Sequence, residues 1–136
     1  MNVIVCIDDN MGMLFSGKRQ SRDKAVIEEI HRIAQGRNLY INDFSAKLIT
    51  DNCIVRNDFL DIADEDDFCF VENVPLKEYT EKINRIYGFK WNKSYPYDFG
   101  LDIELDGWFQ LMNTKEIKGN SHERITMEVW EKGINH

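Results

Sequence analysis

Apolar positions along the chain change their period several times, and each change marks an element. Residues 2–7, NVIVCI, form an unbroken apolar run rich in β-branched side chains, as expected of a central strand buried on both faces. Asp8 and Asp9 end it. Val26, Ile27, Ile30, Ile33 and Ala34 then recur at helical spacing and make one apolar stripe. Ser21 can cap this helix, Asp23 falls in its first turn and Gly36 can stop it, so the spacing predicts a helix over 21–35 packed on one face. Between strand and helix lies 7–23, IDDNMGMLFSGKRQSRD, a stretch with three acids, two glycines and a dense polar run, which reads as a loop held over a cleft.

The rest of the chain continues the alternation. A strand is predicted over 38–41, followed by a short helix holding Phe44, Leu48 and Ile49 with Asn42 or Asp43 as its cap. A brief strand over 53–55 and one or two helical turns over 57–63 come next. The acidic run 64–67 lacks the central glycine and terminal glutamate of a calcium loop and reads as a solvated turn. A strand over 68–71 precedes a helix opened by Pro75 and carrying Leu76, Tyr79 and Ile83. A strand over 86–91 leads into an irregular link, 95–107. Two strands close the chain, one from Trp108 through 112 and on to 117, the other over 124–131 with Ile125, Met127 and Val129 on one face; Gly119 and Asn120 turn between them. Strands alternating with helices, then a final pair without one, predict a three-layer α/β domain whose central sheet is mostly parallel with an antiparallel C-terminal edge. The whole of 1–136 is expected to form that one domain.

Composition narrows the partners. The chain is 43% hydrophobic with a net charge of −7, which repels nucleic-acid backbones and anionic membranes and suits solubility or a basic protein partner. Cys6, Cys53 and Cys69 are odd in number, show no CxxC spacing and sit in apolar runs, so they read as buried reduced thiols of a cytoplasmic protein. No apolar run approaches the ~20 residues that span a bilayer. The N-terminus lacks the basic region and cleavage site of a signal peptide.

Several segments in this order resemble dihydrofolate reductase. IVCIDDNMGM is similar to that family's first strand and following loop, GRNLYINDFSAKLI to its second strand and the short helix after it, and INRIYGFKWN to the strand leading into the C-terminal half. YDFGLDIELDGWFQLMNTKEI and SHERITMEVWEKG resemble the family's acidic link, its long strand and its closing strand. The resemblance implies a dihydrofolate-reductase-like fold, with the family's catalytic acid matched most nearly by Asp23 and a pocket-lining threonine by Ser45. It also implies loss of NADPH. The family's phosphate-binding Gly-Arg-x-Thr is here Asn42, Asp43, Phe44, Ser45, which puts a carboxylate where a guanidinium would pair with phosphate. The family's Gly-Gly pair is here Glu72 and Asn73, and the stretch between Thr50 and Phe68 is shorter than the family's adenosine-binding portion. No cofactor is therefore expected. The chain also resembles small bacterial proteins that carry a ribonuclease Z label. That chemistry needs an HxHxDH zinc cluster, which His31, His122 and His136 do not form.

Two polar segments carry the candidate chemistry. Asp23, His122 and Glu123 are the catalytic candidates, because a histidine beside carboxylates can move protons near neutral pH. Arg19, Gln20, Ser45 and Ser121 are the ligand-binding candidates, and Arg19, Asp23, Ser121, His122 and Glu123 are expected around one cleft. The bland alternative is a helix cap and a polar hairpin end with His122 on the surface. Asp8 and Asp9 with Asp23 and Glu123 suggest magnesium, but neighbours on a strand point to opposite faces, so no metal is expected. The leading expectation is a protein of reductase-like fold without reductase activity that binds a small polar ligand or a protein partner. Alternatives are a divergent oxidoreductase, an immunity-type protein masking a basic toxin, and an RNA-acting enzyme using Arg19, Arg22, His122 and Glu123, against which the acidic charge weighs.

Overall fold

The computed structural model describes residues 1–133. In chain order the elements are β1 (Asn2–Ile7), β2 (Gly12–Phe15), β3 (Lys18–Arg19), α1 (Lys24–Ile33), β4 (Leu39–Ile41), β5 (Ile54–Val55), α2 (Phe59–Ile62), β6 (Phe68–Phe70), β7 (Arg85–Lys90), β8 (Phe99–Gly100), α3 (Leu105–Trp108), β9 (Phe109–Ile117) and β10 (Ile125–Lys132). Short 3-10 turns cover Ser45–Lys47 and Lys77–Lys82. The latter replaces the helix expected after Pro75, and the Asp102 carboxylate caps it by accepting from the Leu76 and Lys77 N–H groups.

Seven strands form the main sheet in the order β5-β4-β6-β1-β7-β10-β9. The pairings among β5, β4, β6, β1 and β7 are parallel, and β10 runs antiparallel to both β7 and β9. This is the α/β sheet with an antiparallel C-terminal edge that the alternation predicts. β1 is central, and its period of two splits its side chains between two cores. Val3, Val5 and Ile7 join Phe59, Leu60, Leu76, Ile83 and Ile103 on one face. Ile4 joins Val26 and Ile30 of α1, Phe70 and Phe89 on the other. Burying Val26 and Ile30 contributes about 1.5–3 kcal/mol each, which is what seats α1 on the sheet.

Further features differ from the sequence expectation. The stretch 7–23 is not only a loop: β2 and β3 form a hairpin, and β2 also pairs with β8, giving a small second sheet. The hairpin turns at Ser16 and Gly17, both left-handed with φ of 50° and 72°, as a tight two-residue turn requires. Helix α1 starts later than predicted, because Asp23, not Ser21, is its N-cap. Trp108 ends α3 instead of opening the following strand, and it is exposed, whereas Trp91 is buried and Trp130 half-buried. All three cysteines are free; Cys69 is buried, while Cys6 and Cys53 are only partly so, because Cys53 lies just before the edge strand β5. Among the described residues no helix is long and apolar enough to cross a membrane.

Candidate functional site

A cleft opens between α1 and the C-terminal ends of β1, β6 and β7. Its walls include Cys6, Met13, Val26, Ile30, Phe70 and Trp91, and Arg19, Gln20, Ser21, Arg22, Asp23 and Glu72 give it a polar edge. The empty space is about 410 Å³ counting the open mouth, and the part that a water can enter is about the size of one water.

Asp8, just past the end of β1, sets one side. One carboxylate oxygen accepts from the N–H groups of Asn10 and Gly12 at 2.8 and 2.7 Å, and the other from the Gln20 amide and the Tyr95 N–H at 3.1 and 3.0 Å. Burial pushes this carboxyl up, but the Tyr95, Gly12 and Asn10 N–H groups and Gln20 outweigh it and leave it below its ordinary value. Gly12 is required here. A Cβ would stand 2.6 Å from the Tyr97 ring and 2.7 Å from the Gln20 amide nitrogen. Gln20 Nε2 faces two acceptors, Asp8 Oδ2 and the Pro96 carbonyl at 3.4 Å, which fixes the amide's orientation. Its Oε1 is then buried without a hydrogen-bond partner among the described residues.

The opposite edge is a salt bridge. Arg19 donates to Glu72 through two nitrogens at 2.8 and 3.0 Å, and its guanidinium stacks over the Phe44 ring at 5.0 Å. Ser45 Oγ donates to the same carboxylate at 2.7 Å, and Asn42 donates to Asn73 at 2.8 Å. The Cys6 thiol below this pair is pushed up by burial and by the Glu72 charge, so it stays a neutral thiol.

The third part joins the helix entry to the β9–β10 turn. Asp23 Oδ1 accepts from the N–H groups of Ala25 and Asn120, both at 2.9 Å. Asp23 Oδ2 accepts from the N–H groups of Ser121 and His122 at 2.7 and 3.1 Å, with His122 Nδ1 at 3.3 Å. Burial raises this carboxyl, but these donors together overcome it and hold it at about 2, well into the ionised range. Since a carboxylate only accepts, Nδ1 carries the proton, and in the neutral ring Nε2 keeps its lone pair. Ser21 Oγ and Tyr95 Oη both lie 3.1 Å from that nitrogen. The imidazole stacks on Trp91 with ring centroids 4.6 Å apart. A Cβ on Gly119 would meet Asp23 Oδ2 at 2.5 Å, so the turn needs glycine for this approach.

The structure thus brings Arg19, Gln20 and Asp23 to one cleft, with His122 bound to Asp23 and only 6% exposed, not a surface residue. Ser121 contributes its backbone N–H while its residue is exposed, and Glu123 is exposed with no bond to Asp23 or His122. Ser45 is buried against Glu72 instead of lining the cleft. Asp9 is exposed while Asp8 points inward, as strand alternation requires. Among the described residues no group of three or more His, Cys, Asp or Glu is placed to hold a metal. Ser21, Tyr95 and Trp91 were not legible as site residues. Ser21 resembles an ordinary cap, Tyr95 lies in the irregular link, and only the S-G turn signal in MLFSGKR points to the hairpin that brings the entry segment inward.

No protein-family profile and no curated protein sequence matches the chain. Among solved structures, dihydrofolate reductase from Enterococcus faecalis, complexed with NADP(H) and RAB-propyl, superposes with a TM-score of 0.73 over 97% of this chain and 95% of that one, at 10% identity. The fold is that of dihydrofolate reductase. At this identity the likeness is one of architecture, and the reductase fold fixes where a crevice lies without fixing what enters it. In this reductase-like chain the crevice follows the general rule for open α/β sheets, beyond the carboxyl ends of the central strands.

Proposed function

We propose that this chain is a ligand-binding protein on a dihydrofolate reductase fold that works without NADPH, and that its ligand is a small, largely apolar molecule carrying a hydrogen-bond donor. The observation that carries the reading is that Gln20, whose buried Oε1 has no partner among the described residues, lines a cleft whose other walls are mostly apolar. An unmade buried hydrogen bond costs about 1–3 kcal/mol, and a ligand donor recovers it.

The proposed loss of NADPH draws on the same residues. Glu72 stands where the resembled reductases have a glycine, and its charge is committed to Arg19 and Ser45. Asn73, at the second glycine position, is tied to Asn42. A dinucleotide entering between these segments would have to break both links and approach the Asp43 carboxylate.

A thermal-shift comparison tests the reading. 2-Aminopyrimidine at millimolar concentration should raise the melting temperature, pyrimidine should raise it less, and Gln20→Leu should abolish the difference, since a ligand that binds only the folded state stabilises it by mass action. Equal shifts for both compounds, or no shift for either, would contradict it.

A further inference from the structure

We propose that Ser21, His122 and Asp23 form a working nucleophile, base and orienting acid, and that the cleft cleaves small carboxylic esters with an apolar acyl part. This rests on the reading of the cleft as a ligand site. Ser21 Oγ lies 3.1 Å from His122 Nε2, and the Asp23 carboxylate holds Nδ1 at 3.3 Å. That is the connectivity by which a serine is activated on several unrelated folds, recognised by geometry and not by sequence order. Three further observations support it. Asp23 is 2% exposed, stays ionised and is fixed by four backbone N–H groups, so it can set the ring's tautomer without moving. Trp91 stacks on the imidazole and locks its plane. Ser21 lines the cleft beside apolar walls, and Arg22 lines it too.

In the proposed step Ser21 Oγ attacks the ester carbonyl carbon while its proton passes to His122 Nε2. The C–O bond to the alkoxy group breaks, and that group leaves as the alcohol with the proton from His122. Water then attacks the acyl-serine, gives its proton to His122, and the carboxylic acid departs as the proton returns to Ser21. Asp23 is a positioning residue throughout. The Tyr95 hydroxyl lies at the same 3.1 Å from His122 Nε2, whose single lone pair can accept from only one of the two hydroxyls at a time.

The test is labelling of the full chain with diisopropyl fluorophosphate, in which Oγ displaces fluoride and the proton goes to His122. Intact mass and peptide mapping should place one adduct on Ser21. Ser21→Ala should lose it, and His122→Gln should slow it by about 100-fold or more. The wild-type labelling rate should be higher at about pH 8 than at about pH 5, as activation by a histidine base requires, a dependence a structural role would not give and one that needs no folded variant. Tyr95→Phe should still label at Ser21. An adduct on Tyr95, labelling that ignores pH, or no adduct would each overturn the proposal. 2-Aminopyrimidine should protect Ser21 from the reagent. A protein that responds to 2-aminopyrimidine without labelling keeps the ligand reading and loses this inference, whereas labelling without that response does the reverse.

Discussion

Asp23 and His122 lie ninety-nine positions apart and meet twice, through the imidazole Nδ1 at 3.3 Å and the His122 N–H at 3.1 Å, both on the same carboxylate oxygen. The other oxygen caps α1. One side chain therefore starts the helix and pins the turn between the last two strands. This makes Asp23 a structural anchor as much as a site residue, and its cost of removal should be large for one carboxylate.

That anchor predicts acid lability. The folded pKa of about 2 lies below the ordinary 3.8, so the stabilisation is present above pH 4 and is lost as pH falls through about 2. The size is roughly 2 kcal/mol. Asp8, also held low, adds in the same direction. Urea midpoints measured between pH 7 and 2 should fall across this window. Asp23→Asn should be less stable at pH 7 by about 3 kcal/mol and show a shallower acid limb. An unchanged acid limb in the variant would place the dependence elsewhere.

Gly119→Ala should destabilise by about 2 kcal/mol, because its Cβ would stand 2.5 Å from both Asp23 Oδ2 and the His122 carbonyl. Denaturant unfolding reads the loss directly. A neutral substitution would mean that the turn relaxes and that the Asp23 contact is not constrained by it.

His122→Ala should cost about 2 kcal/mol or more, since the ring is buried on Trp91 and its loss leaves a void. From the sequence the same residue is expected at the cleft yet replaceable at about 0.5 kcal/mol or less, as a surface polar group would be. Equilibrium unfolding separates the two values.

Those two readings of His122 show how far the sequence reaches. β1, α1's stripe and the closing antiparallel pair were legible because each carries a long, regular apolar period. Asp23 and Arg19 were legible because polar density at a helix entry stands out. The burial of His122 was not, because it depends on Trp91 and Asp23 arriving from distant elements. Ser21 and Asp23 compete as cap residues on local propensity alone, and only the incoming N–H groups of 120–122 decide between them. The hairpin of β2 and β3 escaped notice because four- and two-residue strands carry too little period to register.

Glu72→Gln should destabilise by about 1–3 kcal/mol, since it strips the charge from a pair that also holds Ser45. A double-mutant cycle with Arg19→Met should show coupling, with the double variant less damaged than the two single losses added together. Simple additivity would mean that Arg19 and Glu72 act independently.

The central claim is that the reductase fold is used here without its dinucleotide. Titration of the wild-type chain with NADPH at neutral pH, followed by calorimetry, tests it most directly. The account predicts no saturable binding at concentrations up to about a millimolar, the weak end of measurable affinity at roughly −4 kcal/mol. Saturable binding in the micromolar range would contradict it and return the chain to the oxidoreductases.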